Sequence, residues 1–248
     1  MSADVLLLSC EHGGARVPPR YARLFESRVA RRALGTHRGC DLEALPLARS
    51  LSHALKAPLR ASTVTRLLVD LNRSVGHPRL FSEFSRKLDA TDRAALLDRH
   101  YFPHRDAIES WIDERSRNGR RVLHVGVHTF TPRIDGQIRS AEIGLLYDPS
   151  RDAERSFCKH WKAALLEIDP GLRVRRNYPY LGKADGLVTH LRRVFPESRY
   201  VGVELEVNQA LLSTSIGQRR AVRSIAASLR LLVLSAQARE AKTRSRRR

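Results

Sequence analysis

The sequence predicts an α/β fold, a single domain in which a mixed central β-sheet is flanked by helices. Three observations carry this. Apolar runs of strand length alternate with segments of helical periodicity along the chain. The runs at 121–130 and 199–208 are β-branched and nearly continuous in apolar character, as central strands covered on both faces are. No repeat or low-complexity linker interrupts the 248 residues, so residues 1–240 read as one domain and 241–248 as a basic tail.

The elements follow in order. A strand over 4–10 carries Val5, Leu6, Leu7 and Leu8 and ends in "SCEHGG", an acid, a histidine and two glycines where a buried strand would simply turn. The glycines let something approach the backbone closely there. A helix over 41–56 places Leu42, Leu45, Ala48, Leu51 and Leu55 on one stripe. A strand over 59–71 runs into Asp70, Asn72 and Arg73. Next come a helix over 91–118 and strands over 121–130 and 141–147. A helix over 152–168, a strand over 172–176 and a helix over 184–194 complete the middle of the chain. The strand over 199–208 is followed by a helix over 218–240, with Val222, Ile225, Ala226, Leu229 and Val233 on its stripe.

Composition narrows the class. Apolar residues make up 42% and charged residues 29%, the balance of a soluble globular protein. No apolar run approaches the roughly 18 residues of a membrane span, and the first strand is too short and too acidic at its flanks for a signal peptide. Cys10, Cys40 and Cys158 are odd in number and widely spaced, which points to a reduced, cytoplasmic protein without disulfides. The net charge of +19 invites a nucleic-acid reading. Only six of the 45 basic residues are lysine, however, and the arginines are spread along the whole chain. With aromatics at 6% and no recognisable binding motif, no specific nucleic-acid partner is expected beyond incidental polyanion affinity.

The polar residues that need a reason gather at strand ends, where open α/β sheets bind ligands. These are Glu11 and His12, then Asp70, Asn72 and Arg73, then His128. Glu204 and Glu206 share one strand face. "HRGCD" presents His37 and Asp41 just before a helix. Two histidines, a carboxylate, an arginine and a strand glutamate on one rim suit a hydrolytic zinc centre, with a separate glutamate to take a proton from water. Each has a plainer alternative. His12 or His128 alone could be an ordinary polar histidine, and Asp41 could merely cap its helix. Glu206 could be an edge charge, and Arg66 could neutralise a buried carboxylate. His124 shares the face of His128 but lies deeper and reads as core. "HYFPH" at 100–104 is a weak metal signal, and His53, His77, His160 and His190 have no compelling context.

"SCEHGGARVP", "HRGCDLEALPLARSLSHAL", "TRLLVDLNRS", "HTFTP", "IGLLYDPSR", "YPYLGKADGLVTHLRR" and "VELEVNQALL" together resemble the N-formylglutamate amidohydrolase family in order and spacing, over about residues 5–235. That family is similar to zinc carboxypeptidases and aspartoacylases, which implies a zinc-carboxypeptidase-like (phosphorylase/hydrolase-like) fold and one bound zinc. The resemblance implies His12 and His128 as metal ligands, Glu206 as general base (Glu204 less so) and Arg66 polarising the scissile carbonyl. It implies Asn72 and Arg73 as the substrate carboxylate clamp and places Lys183 in a substrate-side loop. The relatives take a carboxylate ligand from a glutamate three residues after the first histidine. Here that position is Ala15, so Asp41 is the expected ligand, with Glu11 or His37 as fallbacks. The implied activity is hydrolysis of the N-formyl or N-acyl amide of a small N-acyl amino acid such as N-formyl-glutamate. The alternative is a binding or regulatory protein of the same fold without catalysis.

Overall fold

The computed structural model describes the backbone of residues 2–245 and side chains from residue 5 to 233. The basic tail expected at 241–248 therefore lies outside the described side chains. Among the described residues eight strands form: β1 Ser2–Cys10, β2 Leu59–Ala61, β3 Arg120–Phe130, β4 Arg133–Ile134, β5 Gln137–Ile138, β6 Ile143–Leu146, β7 Val174–Arg176 and β8 Tyr200–Asn208. The helices are α1 Arg28–Leu34, α2 Ala44–Leu55, α3 Ala90–Leu96, α4 Phe102–Arg117, α5 Asp152–Ile168, α6 Leu187–Val194, α7 Gln209–Leu212 and α8 Ser215–Ser245. A 3-10 turn at Pro19–Phe25 precedes α1.

Six strands make one sheet in the order β2-β1-β3-β8-β6-β7. All neighbours run parallel except β6 and β8, which are antiparallel, so the sheet is mixed. One face packs against α2, α5 and α8 through Leu8, Val125, Val203, Leu51, Trp161 and Ile225. The other face meets α4 and α6 through Leu7, Val122, Tyr200, Ile108 and Leu191. That second face changes character along its length. Leu7 pairs with His124, then Ser9 with Gly126, and Gly126 and His128 stand opposite Glu204 and Glu206 on β8. Apolar packing anchors the amino ends of the strands and polar side chains are left at the carboxyl ends. Among the described residues, no helix is long and apolar enough to cross a membrane.

Two expected elements are corrected. The strand over 59–71 ends at Ala61, because its only partner, β1, ends at Cys10. Beyond that, a single bridge between Arg16 and Val64 continues the pairing and residues 62–71 leave the sheet in turns. The helix over 91–118 is interrupted by a π turn at Leu97–Tyr101. Pro103 follows in the first turn of α4. Its ring has no N–H and crowds the carbonyl four residues back, which a regular helix cannot absorb.

Candidate metal and catalytic site

The loop after β1 carries the first cluster residue. Gly13 donates its N–H to the Ser62 carbonyl at 3.0 Å, and Arg16 to Thr63 at 2.9 Å. A Cβ on Gly13 would lie 2.8 Å from the Ser62 oxygen, and one on Gly14 equally close to the Thr63 oxygen. The glycines thus let the chain's own 62–64 segment approach, which is a different reason for them from room for a ligand. The His12 carbonyl accepts from the Asp41 N–H at 3.0 Å, and Gly39 accepts from Arg66 N–H and the Thr65 hydroxyl. These backbone links hold His12, Asp41 and Arg66 together although they are distant in sequence.

Asp41 does not cap α2. The position before the helix is Glu43, in left-handed backbone at φ 65°, and the Asp41 carboxylate turns inward. Its Oδ2 lies 3.3 Å from His12 Nδ1 and 2.8 Å from His128 Nδ1, and its Oδ1 accepts from Arg66 Nη1 at 3.2 Å. His12, Asp41 and His128 are buried and offer ligand atoms within 4.8 Å of one another. The outer nitrogen of His12 meets Asp70 Oδ1 at 2.7 Å. Arg66 also reaches Asp70 Oδ2 from Nη2 at 2.9 Å and Nε at 3.3 Å, so it neutralises two buried carboxylates at once, with a quarter of its side chain still exposed.

Glu206 stands in register with His128 on β3 and Gly144 on β6. It is buried, and its Oε2 has no hydrogen-bond partner among the described residues. Burial pushes its carboxyl up to about 8; His128 and Arg66 oppose the rise while Asp41 and Glu204 add to it. Glu204 fills the space over Gly126, accepting from Asn72 Nδ2 at 3.0 Å and lying 4.0 Å from His128 Nε2. The Asn72 oxygen accepts from Leu187 N–H at 2.6 Å, so this amide joins Glu204 to the start of α6. Arg73 donates from Nη1 to the Asp185 carbonyl at 2.6 Å, while its buried Nε has no partner. Lys183 is exposed on the loop before α6, and His37 is exposed outside the cluster.

Five carboxylates gather at the site: Asp41 and Asp70 pair with Arg66, Glu11 and Glu204 face His128 Nε2, and Glu206 stands in register with His128. Burial works against the charged imidazoles, yet the surrounding carboxylates raise His12 and lift His128 well above the usual histidine range. A cluster so rich in anionic donors, with imidazole and carboxylate atoms converging, fits a divalent cation of the zinc type. The sequence puts Asp70 at a strand end without a role and offers His104 only as part of a weak metal signal; His104 lies 3.5 Å from Glu11. The run "VDLNR" was the available signal for Asp70. For His104 it was the π turn beside "HYFPH", which the sequence does not announce.

Fold and site together define a class, the α/β proteins with a histidine–carboxylate centre at the strand ends. The N-formylglutamate amidohydrolase family profile matches residues 5–213, and the chain belongs to that family. Its membership supports amide hydrolysis on an N-acyl amino acid. Among solved structures, a gene product of Agrobacterium tumefaciens is 31% identical with a TM-score of 0.76, covering 95% of this chain and 91% of its own. An N-formylglutamate amidohydrolase from Ralstonia eutropha shares the fold at 17% identity and a TM-score of 0.71, covering 96% of both chains. No curated protein matches the chain in sequence.

Proposed function

We propose that the protein is a zinc-dependent amidohydrolase that removes the formyl or acyl group from an N-acyl amino acid, N-formyl-glutamate being one candidate. The observation that carries this is the orphaned Glu206 Oε2 beside the convergent His12, Asp41 and His128. Those three side chains would hold the ion. When bound, zinc supplies a Lewis acid and lowers the pKa of water to about 7. With a cation's charge beside it to hold it ionised, Glu206 would take the proton of the attacking water on Oε2 and return it to the departing nitrogen. Arg66 is fixed by Asp41 and Asp70, so its exposed edge meets the developing oxyanion without reorganising. Arg73, braced from Nη1 by the Asp185 carbonyl, takes the substrate carboxylate, while Asn72 acts through Glu204 and α6. Lys183, exposed on the loop before α6, is assigned to the substrate side.

Glu206→Gln tests the reading. With N-formyl and N-acetyl amino acids as substrates, kcat is expected to fall about 10²–10⁴-fold, with zinc content by elemental analysis unchanged. Turnover at the wild-type rate would remove Glu206 from the role of base. A wild-type chain that hydrolyses none of these amides would overturn the activity itself.

A further inference from the structure

Glu11 is buried at the end of β1 and is not used by the chemistry above. It points to the α4/α6 face, as Leu7 and Ser9 do, because alternate strand residues share a face. Its Oε2 lies 3.1 Å from His128 Nε2, and its Oε1 lies 3.5 Å from His104 Nε2 on α4. The His128 Nε2–H is not aligned on any acceptor for a hydrogen bond. Glu11 is its nearest carboxylate, with Glu204 farther at 4.0 Å. His12 presents the same pattern on the other side of Asp41, with its outer nitrogen on Asp70 at 2.7 Å.

We propose that Glu11 is a positioning residue, held by His104, that fixes the His128 ring so that Nδ1 faces the metal centre. The inference rests on the metal-dependent reading above and extends it to a residue pair. Burying a carboxylate costs several kcal/mol unless charged or hydrogen-bonding partners repay it, and the ion-pair partners of Glu11 among the described residues are these two imidazoles. A carboxylate on the outer nitrogen fixes the tautomer and raises the basicity of the ligating one. His104 reaches Glu11 because α4 restarts after the π turn at Leu97–Tyr101, so its position depends on that irregularity. Asp70 and Glu11 then grip the two ligand histidines from outside while Asp41 sits between their inner nitrogens.

The test is zinc affinity, measured by competition with a chromogenic chelator on the full chain. Glu11→Gln keeps the volume and an acceptor oxygen but loses the charge, so a purely space-filling role predicts no change. Positioning predicts weakening of about 10–100-fold, with the metal-free protein melting as wild type does. His104→Gln, which leaves Glu11 in place but releases it, is expected to give a smaller loss in the same direction and guards against a Glu11 variant that fails to fold. Wild-type affinity in both variants overturns the assignment. X-ray absorption at the zinc edge should show the same ligand number in Glu11→Gln; a lost oxygen ligand would make Glu11 a direct ligand and overturn it too. A wild-type chain that takes up no zinc would overturn the metal-dependent reading as well, so the two failures are distinct.

Discussion

His124 and His128 lie on one face of β3 four residues apart, yet their surroundings drive the two imidazoles in opposite directions. His124 is fully buried between the Tyr200 hydroxyl and the Ser9 hydroxyl, each 2.8 Å away, and burial lowers it to about 4. An unfolded histidine titrates near 6.5. As pH falls from about 6.5 to about 4 the unfolded chain binds a proton that the folded chain refuses, so stability is lost across that window, by about 3 kcal/mol at most. His124→Gln can bond both hydroxyls without titrating. Urea midpoints compared at pH 7 and pH 4.5 should drop less in this variant than in wild type; equal drops would show that His124 does not titrate this way. Reading His124 as core was possible from its depth in an apolar strand. Asp41 was not decidable from sequence, because capping a helix and facing a site both suit an aspartate at that position. The distinction lies in the left-handed backbone at Glu43, which takes the cap position in place of Asp41.

Elements were legible where hydrophobic periodicity sets them and illegible where pairing or backbone approach does. β3 and β8 stand almost where the apolar runs put them. The run through Leu67, Leu68 and Val69 is just as apolar but has no strand beside it, and buries itself in turns against α1, Tyr101 and the 3-10 segment instead. This irregular stretch positions Arg66, Asp70 and Asn72, and it is held by the loop after β1. Gly13→Ala should therefore act on both. Its Cβ would meet the Ser62 oxygen at 2.8 Å, Leu45 at 3.2 Å and Cys10 at 3.3 Å. With backbone rather than a flexible tip in the way, the loop must shift, at a cost of about 1–3 kcal/mol. Chemical denaturation of the metal-free variant should show that loss, and chelator competition should show weaker zinc binding, since His12 moves with Gly13. A variant with wild-type stability would mean that the loop yields freely.

At the scale of the whole molecule, the +19 charge and the acidic centre are opposites. Part of the arginine surplus is internal scaffolding. Arg105 donates to the carbonyls of Leu71 and Arg73, and Arg192 to those of Gly182 and Gly202. Arg151 donates to those of Arg192, Phe195 and Tyr200. Composition could not separate these from surface charge. The centre, by contrast, gathers Asp41 and Asp70 on Arg66 and Glu11, Glu204 and Glu206 beside His128. The metal-free fold must keep those carboxylates close together, and a divalent cation relieves that repulsion only in the folded state, where the ligands converge. Binding should therefore raise stability by mass action, about 2.7 kcal/mol at a hundred times Kd. For a domain of this size that is about 5–10 °C in Tm. Wild-type protein stripped with a chelator and then titrated with zinc should show the rise. The His12→Ala, His128→Ala double variant should melt at one temperature with or without zinc. An equal rise in that variant would place the stabilising ion elsewhere in the molecule, and no rise in wild type would mean that the carboxylates are balanced by protons alone.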